Sequence, residues 1–171
     1  MLATGDEGRD ILDSMERDRR EAEYYLLHYE AELKDYTASR SQLFDNPPAP
    51  DENRGIKGNL PGRPTETKAL ALVSHDETCP RWKWLKAVEI VQRGLGERKN
   101  IFISIRRRAE TESRRSPVKG RPAWVVYTQQ HYAQAIESRF LQGCGYVSEK
   151  TVRLWWQEIV SRVVEVYLRL G

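Results

Sequence analysis

Mostly apolar residues recur every seven positions along the first 45 residues of the chain, with arginines at two positions that weaken the pattern. One row reads Leu12, Arg19, Leu26, Leu33 and Arg40, and a second, offset by three, reads Met15, Ala22, Tyr29, Tyr36 and Leu43. This offset is the a/d spacing of a coiled-coil seam, and it predicts one long helix. Such a helix is too long to cover its seam within a small globule. The pattern therefore predicts a partner helix, either from a second copy of the chain or, alternatively, in a hairpin within the chain.

The next segment, residues 46–64, ends this periodicity. It contains five prolines and three glycines. Proline removes amide donors and breaks helices, and glycine raises the entropic cost of order. The composition predicts a linker between an N-terminal oligomerisation arm, residues 1–45, and a helical domain, residues 65–171.

Helical spacing of apolar side chains returns after the linker. This spacing predicts four helices. They are Thr65–Val73, Arg81–Arg93 with Pro80 in its first turn, Ala123–Leu141, and a last helix that is capped by Ser148 and ends at Leu170. The run Ile101–Ile105 fits a buried strand or a helix, and its charged flanks favour a helix. The predicted fold class is therefore all-α.

Charge is distributed unevenly along the chain, although its net value is only +3. Residues 93–121 carry ten basic and three acidic side chains, whereas residues 1–92 carry 13 and 18. A concentrated positive segment favours nucleic acid as a partner. We expect phosphate contacts from the basic residues that this segment places just ahead of the C-terminal helices. They are Arg106, Arg107, Arg108, Arg114, Arg115, Lys119 and Arg121.

A helix-turn-helix is predicted at about 133–170. Gly145 lies in a turn, Val147 follows as an apolar plug, Ser148 serves as N-cap, and Val152 is the first buried residue of the second helix. This second helix would insert its N-terminal end into the major groove of double-stranded DNA. The predicted contact residues at this end are Ser148, Glu149, Lys150, Thr151, Arg153 and Gln157.

The sequence gives little support for catalysis or for a membrane protein. His28, His75 and His131 lie far apart, and none has metal-ligand spacing with a second His or Cys. We therefore expect no enzyme activity, cofactor or metal. No apolar run approaches the roughly 18 residues of a membrane span, and the first residues do not resemble a signal peptide. The expected location is the cytoplasm.

The order of these features resembles the RinA/ArpU type of phage transcriptional activators. The resemblance rests on Tyr24–Leu27 in a charged helix, on Asp51–Gly55, on the stretch Gly62–Lys68, and on the terminal helix-turn-helix. It implies an activator of phage late genes that acts with bacterial RNA polymerase in the cytoplasm of a bacterial host cell, near the nucleoid. It also implies a C-terminal module similar to region 4 of sigma factors, in which Ser148 to Gln157 would read promoter DNA.

Two other functions fit the same pattern. A phage small terminase subunit also combines a helix-turn-helix with helical oligomerisation, but such subunits usually place the DNA-binding module first. A coiled-coil assembly protein without a nucleic-acid role would use the basic segment only for solubility. A ring-shaped assembly would favour the terminase, and absence of DNA binding at low salt would favour the assembly protein.

Overall fold

Six helices make up the described part of the chain. The computed structural model describes residues 6–45, 64–113, 122–140 and 145–170. The helices are α1 (Asp6–Asp45), α2 (Pro64–Thr78), α3 (Pro80–Gly94), α4 (Glu97–Ser113), α5 (Ala123–Arg139) and α6 (Glu149–Leu170). No strand occurs in these ranges, which confirms the all-α prediction and the helical interpretation of Ile101–Ile105. None of these helices is both long and apolar enough to cross a membrane. The predicted linker, up to residue 63, lies outside the described residues.

The core forms where α1 lies across α3 and α6, while α4 packs mainly on α5. A column of aromatic side chains joins α1, α3 and α6. Tyr25 of α1 stacks on Trp84 of α3 with ring centroids 5.9 Å apart, and Trp84 stacks in turn on Tyr167 of α6 at 3.7 Å. Since stacked aromatic rings bury large apolar areas, this column fixes the C-terminal half of α6 against α3.

The long helix α1 is kinked at His28, whose backbone has φ −105° and ψ 15°. Side chains contact backbone carbonyls that a regular helix would pair internally. His28 Nδ1 lies 2.9 Å from the carbonyl oxygen of Tyr24, and Arg107 Nε of α4 donates to the carbonyl oxygen of Leu26 at 2.7 Å. The kink therefore coincides with side-chain contacts to two α1 carbonyls, one of them from a cation of α4.

The middle of the predicted coiled-coil seam is covered inside the chain. Leu26 is fully buried and Tyr36 is 3% exposed, because α2, α3, α4 and α6 pack against this part of α1. The first turns of α1 extend beyond the core, and Ile11, Leu12 and Met15 are more than 60% exposed there. The middle of the seam is therefore covered within the chain, by several helices, and the exposed apolar side chains at its beginning are available to a second chain.

The segment that leads into α6 lies close to α5. Gly145 is buried, and a Cβ built on it would lie 2.7 Å from the Cα of Ala133. One turn earlier on α5, Gln129 Nε2 donates to the carbonyl oxygen of Val147 at 2.8 Å. Gln129 and Ala133 are four positions apart and share one face of α5. Two contacts on that face therefore set where α6 begins.

We expect Gly145→Ala to destabilise the fold by about 1–3 kcal/mol, because its methyl group would clash with the α5 backbone. The measurement is urea unfolding, with Gly96→Ala as the matched control. A Cβ at Gly96 meets nothing within 4 Å, so this variant should stay within about 0.5 kcal/mol of wild type. Equal stability of the two variants would contradict the close approach at Ala133.

Candidate nucleic-acid interface

The N-terminus of α6 has the predicted side-chain cap. Ser148 Oγ accepts a hydrogen bond from the backbone N–H of Thr151 at 3.1 Å. The Ser148 carbonyl accepts the first helical hydrogen bond, from the N–H of Val152, at 3.0 Å. Glu149 lies in the first turn, where a carboxylate interacts favourably with the positive end of the helix dipole. These interactions confirm the predicted start of this helix.

The two faces of α6 differ sharply. Val152, Ile159, Val160 and Val163 are fully buried, and Trp156 is 4% exposed. The predicted contact residues Lys150, Arg153 and Gln157 are exposed, while Ser148 is exposed and Glu149 and Thr151 are half-buried. A buried face with this many contacts cannot rotate without disrupting the core. The orientation of the exposed polar face is therefore fixed by packing.

Further along α6 the charges are paired with other helices. Glu158 accepts from Lys99 Nζ of α4 at 2.8 Å and lies 3.7 Å from Arg162. The hydrogen bond from Lys99 lowers the pKa of the Glu158 carboxyl, and the charges of Lys99 and Arg162 lower it further. The ionised Glu158 carboxylate is therefore paired with Lys99 and Arg162, whereas Lys150 and Arg153 lie nearer the N-terminal end of the helix.

The three consecutive arginines of α4 do not form one basic surface. Successive helical residues are rotated by about 100°, and each of these side chains enters different surroundings. Arg106 is buried, Arg107 is half-buried at the α1 kink, and Arg108 is exposed. Arg107 also lies 3.8 Å from Glu30 of α1. A phosphate contact requires an exposed guanidinium group. Of these three arginines, only Arg108 is exposed in the structure, so the expectation that all three contact phosphate does not fit it.

Arg106 is enclosed by aromatic rings and a carboxylate. Its guanidinium carbon lies 4.3 Å from the Trp124 ring centroid and 4.9 Å from that of Trp156. Nη1 lies 3.1 Å from Glu110 Oε2. Burial lowers the pKa of Arg106 from its ordinary value, and the carboxylates of Glu110 and Glu23 oppose this shift. The side chain contributes cation–π and ionic contacts to the core.

Arg108 lies apart from the exposed face of α6. It lines an open groove of about 730 Å³ between α4 and α5, together with His131, Gln134 and Ser138. The segment leading to α6 packs on Gln129 and Ala133, which occupy another face of α5. The remaining basic residues of the prediction lie outside the described residues. They are Arg114, Arg115, Lys119 and Arg121.

Two features of this region were missed in the sequence prediction. The burial of Arg106 has a sequence signal, because Arg106 is spaced four and three positions from the buried residues Phe102 and Ala109. Leu154, which is 52% exposed beside Arg153, was not among the predicted contact residues. Within the described residues, no three His, Cys, Asp or Glu side chains are placed to hold a metal ion.

No protein-family model, curated protein or solved structure matches this chain.

We expect Arg106→Ala to destabilise the protein by about 3 kcal/mol or more, because it breaks a buried ion pair and leaves a gap between two indole rings. Arg106→Met should lose less stability, since the flexible apolar side chain of methionine can fill the space. Arg108→Ala is the matched control and should unfold like wild type. Thermal unfolding followed by circular dichroism measures all three variants, and a stable Arg106→Ala would refute the structural role.

Proposed function

We propose that this protein is a sequence-specific DNA-binding regulator of transcription whose reading helix is the N-terminal half of α6. One observation carries the proposal: Lys150, Arg153 and Gln157 project from a capped helix whose opposite face is locked into the core. A reading helix needs this rigid support, because base contacts require side chains held in register.

The chemistry of the exposed residues matches base edges in the major groove. Arginine can donate two hydrogen bonds to guanine O6 and N7, and glutamine can pair with adenine N6 and N7. Lysine binds guanine or a backbone phosphate. Arg153 and Gln157 are four positions apart, so they lie on neighbouring turns and would address adjacent base pairs.

The pair α5 and α6 would form the helix-turn-helix. Residues 140–148 join the two helices, which is longer than the three- or four-residue turn of the compact motif. The contacts of Gly145 and Val147 with α5 compensate for this length, because they hold the end of the connecting segment on the preceding helix. The resemblance to RinA/ArpU-type activators extends the proposal to phage late genes and to recruitment of bacterial RNA polymerase.

The reading role predicts base-specific losses. Arg153→Ala and Gln157→Ala should each weaken binding to a selected site by roughly 1–3 kcal/mol and relax preference at one base pair. Arg169→Ala, an exposed arginine at the other end of α6, is the matched control and should bind like wild type. Fluorescence anisotropy with selected and random duplexes measures the effect. Equal losses on both duplexes would assign the face to phosphate contacts alone.

Self-association is the second part of the proposal, and the surface that we propose for it is the first turns of α1. Ile11, Leu12 and Met15 form an exposed apolar strip beyond the core, and a second copy of this strip would cover it. Two linked reading heads would bind two half-sites more tightly than one head, because the second contact becomes intramolecular.

We therefore expect Leu12→Asp combined with Met15→Asp to yield monomers that keep the wild-type unfolding transition. Analytical ultracentrifugation gives the oligomeric state, and Ala38→Asp with Ser39→Asp is a charge-matched control at exposed positions of α1. Leu26→Asp should instead unfold the protein, because that side chain is fully buried in the chain's own core. A monomeric wild type would remove the self-association proposal and leave the DNA-binding proposal intact.

A further inference from the structure

Leu154 occupies the most outward position of the N-terminal half of α6. It lies two positions after Val152 and two before Trp156, so at 100° per residue it projects about 200° away from each of these buried side chains. It is 52% exposed. An apolar side chain therefore stands at the centre of the face that we propose reads DNA.

The neighbours of Leu154 are polar. Lys150 lies four positions before it and Gln157 three positions after it, which places both next to it on the helix surface. Arg153 precedes it directly, and Glu158, four positions after it, is paired with Lys99 of α4. The leucine is thus an isolated apolar side chain among charged and hydrogen-bonding ones, and it does not belong to a broad apolar patch of the kind that binds another protein.

The chemistry of the major groove offers one partner for such a side chain. The four base pairs present donors and acceptors there, and the only apolar group among them is the C5 methyl of thymine. We infer that Leu154 contacts a thymine methyl group and thereby contributes to sequence specificity. This inference rests on the proposed DNA-reading function of α6.

Charge argues against a second copy of the chain as the occupant. If two copies packed through Leu154 with their α6 helices parallel, Lys150 of one copy would lie close to Lys150 of the other. If the helices were antiparallel, Lys150 would face Glu158, whose carboxylate is already paired with Lys99 and Arg162 of its own chain. Like charges at close range are unfavourable. A polyanionic duplex supplies the opposite charge to both lysine and arginine, and it supplies the methyl group.

The test uses the full-length chain and a random-sequence duplex library. Bound duplexes are selected by wild type, the enriched site is synthesised, and each thymine in turn is replaced by uracil, which lacks only the methyl group. Affinities are then measured for wild type, for Leu154→Ala and for Leu168→Ala, an exposed leucine near the other end of the same helix. Circular dichroism checks that all three proteins are folded.

For wild type and Leu168→Ala, we expect replacement of one thymine to weaken binding about three- to fivefold, the factor that burial of a single methyl group implies. Leu154→Ala should bind the thymine and uracil duplexes equally at that position. The inference is overturned if wild type selects a site but no uracil weakens binding, if that site lacks A·T pairs, or if Leu154→Ala keeps the thymine preference. It is also overturned if Leu154→Ala changes the oligomeric state. If wild type binds no duplex at low salt, the proposed DNA-binding function itself fails.

Discussion

Four helices meet around the guanidinium of Arg106, which lies on α4 between Trp124 of α5 and Trp156 of α6. The indole of Trp156 also donates to Glu23 of α1 at 2.9 Å, so the long helix is joined to the same cluster. A buried cation needs compensation for its lost hydration, and here the aromatic faces and Glu110 provide it. Because Trp156 belongs to the buried face of α6, this cluster also determines which residues of α6 face the solvent.

The position of α6 then follows from contacts along its length. Before its first turn, the carbonyl of Val147 accepts a hydrogen bond from Gln129 of α5, then Trp156 enters the Arg106 cluster, and Tyr167 stacks on Trp84 near the far end. Trp156 and Tyr167 lie on the buried side of the helix, so the other side is held in a fixed orientation. The proposed reading role requires such a fixed orientation, because specific base contacts need side chains whose backbone does not move.

The spacing of residues along the sequence predicted where the helices lie. Which side chains those helices bury against each other depended on tertiary packing. The helices, the Ser148 cap and the buried stripe of α6 follow from spacing and side-chain chemistry near in sequence. The residue spacing of the α1 seam is the same whether a second chain or the same chain covers it. Spacing alone therefore could not show that Leu26 is buried within its own chain. Likewise, nothing in three consecutive arginines indicates that one is enclosed by indoles, since Trp124 and Trp156 come from other helices. The DNA-reading role of α6 stays a prediction.

Site-specific photo-crosslinking tests the reading role of α6 most directly. The photoreactive residue p-benzoylphenylalanine would replace either Gln157 or Arg169, both exposed on α6 but at opposite ends, and each protein would be irradiated with double-stranded DNA at low salt. We expect crosslinks to DNA from position 157 and none from position 169. No crosslink from position 157, or equal yields from the two positions, would contradict it.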